Sequence, residues 1–293
     1  MRLQQDQGQR EILKGALLMC SAMLVIPFMN ATAKWLGGNF PITEVVWARY
    51  AGHLLFIVVL FAPRHGAGLF RSVAPKIQLA RSALLLMSTL CYFTALKYLP
   101  LPTAASISFT SPVIVVLLAI PLLGERVGIK RWLAVLLGFS GMLVIIRPGI
   151  EGTHWSGLLV LVSATCFALY QILTRRIAGQ DTPETTITYT AVVGTVVLSF
   201  VVPWDFQLPQ TSMQWLLICG IGFIAAIGHY LIVLAYQYAP ASVLSPMNYV
   251  QLIGATTLSI LLFGQIPDSI TWLGAAMIVA ASAYVTLVPQ KDS

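Results

Sequence analysis

The chain has 293 residues, 58% of them hydrophobic and only 9% charged; soluble domains carry about a quarter charged residues, so a water-soluble class is excluded. Its formal net charge of +7 is spread along the chain, not clustered as a nucleic-acid surface would be. Cys20, Cys91, Cys166 and Cys219 all fall inside apolar runs, without metal spacing, and read as small packing residues.

Taken in order, the apolar runs cover residues 13–36, 43–62, 79–98, 103–122, 130–147, 155–177, 185–202, 213–236, 241–263 and 268–288. Each approaches the roughly 20 residues needed to cross a bilayer. The expected fold is therefore an all-α integral membrane protein with ten transmembrane helices. About a dozen polar residues precede the first run and no small-residue cleavage site follows it, so it reads as a retained span. The longest loop, 63–78, is too short to enclose a core. Its Arg64, Arg71 and Lys76 should lie on the cytoplasmic lipid surface.

Charge sets the expected orientation. With a cytoplasmic N-terminus, 13 of the 17 Lys and Arg residues fall on inner segments, Arg81 and Arg126 among them. Three, Lys34, Lys97 and Arg147, fall at outer ends, and Arg49 lies inside a span. This is the positive-inside pattern, with both termini cytoplasmic. The implied location is the plasma membrane, the inner membrane of a bacterium, with the lipid bilayer as the main partner and no nucleic acid.

The chain also repeats itself. Tyr98, Pro100, Gly124 and Trp132 return 140 residues later as Tyr238, Pro240, Gly264 and Trp272. Gly15, Ser21, Lys34, Pro41 and Gly52 align at an offset of 142 with Gly157, Ser163, Arg176, Pro183 and Gly194. Two five-span units are thus expected, at 13–148 and 155–288. Because five is odd, the second enters the membrane from the opposite side, an inverted repeat of the kind common in secondary transporters. The inner turn Gly124-Glu125-Arg126 has an outer partner, Gly264-Gln265-Ile266, that lacks the basic residue.

The segments ALKYLP and SPVIVVLLAIPLLGERV, then CFALYQILTRR, AYQYAPASVLSPMNYVQL and LFGQIPDSITWLGAAMIVA, resemble the EamA-type family of the drug/metabolite transporter superfamily. The likeness runs from Gly15 to Val288. It implies a ten-span carrier that moves small metabolites by alternating access, frequently outward. Amino acids, riboflavin, S-adenosylmethionine and drugs are cargoes associated with the family. One departure is Gln265, where the family often has an acid.

The repeat offset also directs the search for a site. Ser108 and Ser111 share a helical face, and adding 140 reaches Asn248 and Gln251, which share one too. Amides at the bilayer centre need a partner or a wet cavity, so these four are the leading cargo-binding candidates, with interhelical hydrogen bonding as the alternative. Thr89 corresponds to His229, which sits beside Tyr230 in a helix with Gly220, Gly222 and Gly228. His229 suits a proton relay or a polar cargo, or else a bond to a neighbouring helix, and His53 is the other deep histidine suited to proton coupling. Arg49 and His53 share a face, with Arg49 roughly 9 Å deep at 1.5 Å per residue. Arg49 suits a cargo carboxylate, or it snorkels outward and pairs with Glu44, the favoured reading. Glu44 at a helix start suits the macrodipole, with proton coupling as the alternative. Tyr170 aligns with Phe28, so an aromatic occupies both copies and can form either a stacking wall or plain packing. Gln171, Asn30 and Lys34 are further candidates. Pro27, Pro112 and Pro246 interrupt apolar helices and suit bends.

An enzyme would need paired aspartates, HExxH or GxSxG, and none occurs. A channel would need a charged ring or filter loop. The absence of a P-loop argues against direct ATP drive. The expected activity is therefore secondary transport of a small metabolite, an amino acid or related compound, with export favoured. The alternative is uptake of a vitamin or nucleoside-type compound such as riboflavin or S-adenosylmethionine. Neither cofactor nor metal is expected.

Overall fold

The computed structural model describes residues 2–99, 104, 107–125, 127–146, 155–263 and 269–287. The repeat markers Pro100, Gly264, Gln265 and Ile266, and the charges Arg126, Arg147 and Lys291, lie outside the described residues.

The helices are α1 (Arg2–Gly37), α2 (Ile42–His65), α3 (Pro75–Leu96), α4 (Ser111–Leu123) and α5 (Ile129–Ile146). They continue as α6 (Ser156–Arg176), α7 (Pro183–Ser199), α8 (Ser212–Tyr238), α9 (Gln251–Phe263) and α10 (Ser269–Leu287). Local chemistry explains several boundaries. Proline opens α3 and α7 at the first turn, where its missing N–H costs nothing. Thr211 and Gln214 form a reciprocal capping box at the start of α8. Gly124 ends α4 in the left-handed region, φ 66°, where a side chain would be strained.

Among the described residues, six helices are long and apolar enough to cross a membrane: Gln9–Gly37, Ile42–Phe70, Pro75–Leu96, Ser156–Arg176, Pro183–Trp204 and Ser212–Tyr238. The run expected as one continuous span at 241–263 is instead segmented. A helical turn, Ala241–Leu244, passes into a 3-10 segment, Ser245–Val250, before α9 begins. Pro246 cannot donate to an α-helical ladder, which accounts for the break. The outer surface is apolar, with Leu55, Val59, Leu158, Leu216 and Phe200 all more than 60% exposed. Such a surface suits lipid and would be a liability in water.

The largest helix–helix contacts join the two halves of the chain: α1 with α8, α3 with α6, α5 with α10, α2 with α8 and with α7, and α3 with α7. If α1 to α5 are exchanged with α6 to α10, this set of partners maps onto itself. The smaller contacts of α1 with α9 and α4 with α6 obey the same exchange. Lipid tails are as apolar as leucine, so such helices are held by close packing and hydrogen bonds. Gly52 and Gly222 let α2 and α8 touch backbone to backbone: a Cβ on Gly222 would lie 2.5 Å from the Gly52 Cα. Gly138 is covered by the Tyr249 ring, whose hydroxyl donates to the Val135 carbonyl at 3.2 Å.

Polar clasps tie loops of one half to the other. Glu125 accepts from the backbone N–H groups of Ala241 and Ser242 at 2.9 and 3.0 Å, capping the turn that leads to α9. Asp181 accepts from Val73 N at 2.8 Å, Gln78 Nε2 at 2.8 Å and the Ser72 hydroxyl. Burial alone would raise the Asp181 carboxyl, but these three donors outweigh it and hold the group below its ordinary value. Arg71 is exposed on this loop, whereas Arg81, counted among the inner-surface cations from sequence, is fully buried. Four acceptors surround it: Thr174 Oγ1 at 3.0 Å, Gln78 Oε1 at 3.1 Å, the Thr186 carbonyl at 2.8 Å and Thr190 Oγ1 at 3.1 Å. The four offset part of the cost of burial, with Nη2 left without a protein partner; a count of lysines and arginines cannot see them.

Candidate functional site

A cavity with about 90 Å³ accessible to the centre of a water molecule lies between the halves. Ser108, Ser111, Asn248 and Gln251 all line it, as do Arg49, His229 and Asn30. The four leading candidates reach it by different local routes from the one expected. Ser111 opens α4, and Ser108 lies just before it. Asn248 belongs to the 3-10 segment and Gln251 to the first turn of α9. Both chain segments break near a proline, Pro112 at the cavity wall and Pro246 in the 3-10 segment, freeing backbone from the regular ladder there.

Among the residues that line the cavity, the Tyr92 hydroxyl, the Ser111 hydroxyl and Asn248 Oδ1 are buried without a hydrogen-bond partner. The other end of the Asn248 amide is committed, since Nδ2 donates to Gln171 Oε1 at 3.2 Å. Tyr92, Phe93, Phe109 and Phe167 supply aromatic wall, and no carboxylate lines the cavity among the described residues.

Arg49 is 1% exposed and neither snorkels nor pairs with Glu44. Its Nη1 donates to Thr89 Oγ1 at 3.1 Å, Nη2 to His229 Nε2 at 2.6 Å, and Nε to Met29 Sδ at 3.2 Å. Thr89 and His229, which correspond across the repeat, therefore bracket one guanidinium. An arginine can only donate, so His229 Nε2 accepts and the ring proton belongs on Nδ1, 3.4 Å from the Tyr170 hydroxyl. While Arg49 holds that bond, Nε2 is unavailable to a second proton.

The remaining candidates lie off the cavity wall. His53 is fully buried beside His229, ring centroids 6.3 Å apart. Tyr170 packs on Phe167 and under the Arg81 guanidinium, while its repeat partner Phe28 faces outward, 51% exposed. The two aromatics form no shared wall; Phe167 lines the cavity in their stead. Tyr230 donates to Glu184 Oε1 at 2.7 Å. Glu44 accepts from Gln207 N at 2.9 Å and so holds the segment before α8. Lys34 donates to the Leu96 and Leu99 carbonyls at the end of α3. Sequence reasoning missed Ser88 and Ser163, which exchange hydroxyl-to-carbonyl bonds between α3 and α6 at 3.0 and 2.8 Å beside the cavity. Ser163 appeared only as a repeat marker, with no local signal of this reciprocity.

An apolar exterior around a cavity lined by both apolar and polar side chains defines a multi-pass membrane protein with an internal chamber. The chain belongs to the EamA-like transporter family, whose model matches residues 13–147 and again 154–287. It is 30% identical over 287 residues to a riboflavin transporter of Vibrio cholerae, covering 96% of this chain and 95% of that protein. It is 27% identical to the pseudopaline exporter CntI of Pseudomonas aeruginosa, covering 91% and 94%. A crystal structure with 17% identity shares the fold, with a TM-score of 0.78 over 96% of this chain and 97% of that one. The relatives are small-molecule transporters, and membership of their family is the functional class established for this chain.

Proposed function

We propose that the protein is a secondary transporter moving a neutral or anionic small metabolite through the central cavity by alternating access, with a flavin-like vitamin as the first cargo to test. The observation that carries this reading is the cavity wall: aromatic faces, hydroxyls and amides, one arginine and no carboxylate among the described residues. Aromatic walls suit a flat ring, and Ser108, Ser111, Asn248 and Gln251 suit its polar edges. The riboflavin relative of Vibrio cholerae supports the same cargo class. A cationic cargo such as S-adenosylmethionine would meet Arg49 without a compensating charge. Arg49 supports a second reading, an amino acid or similar compound bound through its carboxylate.

The proposal includes ten crossings, two inverted five-helix units at 13–148 and 155–288, and both termini in the cytoplasm of a bacterial inner membrane. The exchange of contact partners between the halves and the distribution of Lys and Arg support that arrangement. The sequence carries no P-loop, which supports secondary transport over direct ATP drive. The test is riboflavin flux into and out of proteoliposomes containing the purified protein. Saturable flux above empty vesicles is expected; none, alongside saturable amino-acid flux, would favour the second reading.

A further inference from the structure

Gln171 of α6 does not line the cavity, yet it governs what the cavity presents. It is fully buried, and its Oε1 accepts from the Tyr236 hydroxyl at 2.6 Å and from Asn248 Nδ2 at 3.2 Å. Asn248, 4% exposed, has one acceptor and one amino group on a rigid plane. Once Nδ2 is turned to Gln171, Oδ1 lies at the other end of the amide, buried without a protein partner in a residue that lines the cavity. The Tyr236 hydroxyl donates to the same Gln171 Oε1, so two donors share that carbonyl, while Gln171 Nε2 is buried without a protein partner.

We infer that Gln171 is a positioning residue that sets Asn248 to offer a hydrogen-bond acceptor to cargo, so that the carrier selects compounds presenting an N–H donor at that point. A buried acceptor facing an N-alkyl group loses its bond and pays desolvation with nothing in return, which is how such sites discriminate. The inference rests on the flavin reading above; in riboflavin the matching donor is the single imide N–H of the ring.

The experiment compares riboflavin with 3-methylriboflavin, which lacks that N–H, as substrates for proteoliposome flux. Wild-type protein should prefer riboflavin by about tenfold or more in Vmax/KM, the equivalent of one good hydrogen bond. Gln171→Leu should bring the two compounds within about threefold, mainly by raising KM for riboflavin. Gln171→Glu keeps both acceptor roles and should restore the preference, which a purely structural role for Gln171 would not predict. If Gln171→Leu fails to reach the membrane, Tyr236→Phe, which removes only the rear bond, should narrow the preference. Equal transport of both compounds by wild type, or a preference unchanged in the Gln171→Leu or Tyr236→Phe carrier, overturns the inference and leaves the flavin reading intact. Absence of riboflavin flux in wild type overturns both.

Discussion

Among the described residues two arginines are buried, and their surroundings differ. Arg81 meets four oxygen acceptors from α3, α6 and α7 and stacks on Tyr170, away from the cavity. Arg49 meets a hydroxyl, an imidazole and a thioether, the last a weak acceptor, and borders the cavity. Among the described residues neither has a carboxylate at salt-bridge distance. A guanidinium surrounded by oxygens is bound in place as part of the framework. Each Arg49 nitrogen has a protein partner, and what sets this guanidinium apart is its place on the cavity wall.

The comparison is most easily broken by removing each charge. Arg81→Met should cost the most, about 3 kcal/mol or more, because several buried hydrogen bonds to a charged group are lost together; thermal unfolding in detergent and membrane abundance read this directly. Arg49→Lys keeps the charge but not the planar fork. It should lower flux by roughly tenfold or more at near-normal abundance, and equal losses of folded protein in both variants would erase the distinction. Next in size, Asn248→Ala and Gln251→Ala should each reduce flux by about three- to tenfold without reducing folded protein. Loss of abundance alone would assign these amides to packing.

The smallest effect expected belongs to the Asp181 clasp. A carboxyl held below its ordinary value stabilises the fold fully above its unfolded value near 3.8 and loses that contribution as pH falls through the lower folded value. Unfolding temperature should therefore show no Asp181-dependent change between about pH 5 and 8. Asp181→Asn should lower it slightly in that range and differ least from wild type in strong acid. A difference that grew on acidification would contradict the clasp geometry.

The all-helical membrane class was legible because a bilayer demands long apolar runs, and the fixed offset pointed to the exchange of contact partners between the two halves. The same offset led to Ser108, Ser111, Asn248 and Gln251, which do meet at one cavity. It failed for Tyr170 and Phe28, since pseudo-symmetry relates backbone positions and does not require the two side chains to face the same environment. It also left Tyr230 unplaced: its neighbour in sequence, His229, turns to the cavity while Tyr230 turns to Glu184 on α7.

By itself, the sequence determined the solvent of the protein and the class of its fold, because hydrophobic composition and helical length answer directly to lipid. It also marked which polar residues would be costly to bury and therefore needed a reason to be there. Only the tertiary structure decided what those reasons are. It gave Arg81 four oxygen acceptors, set Arg49 between Thr89 and His229, and tied the Asn248 amide to Gln171. Each depends on partners far away in the chain, and a hydrogen bond has a direction that no spacing along one helix can specify.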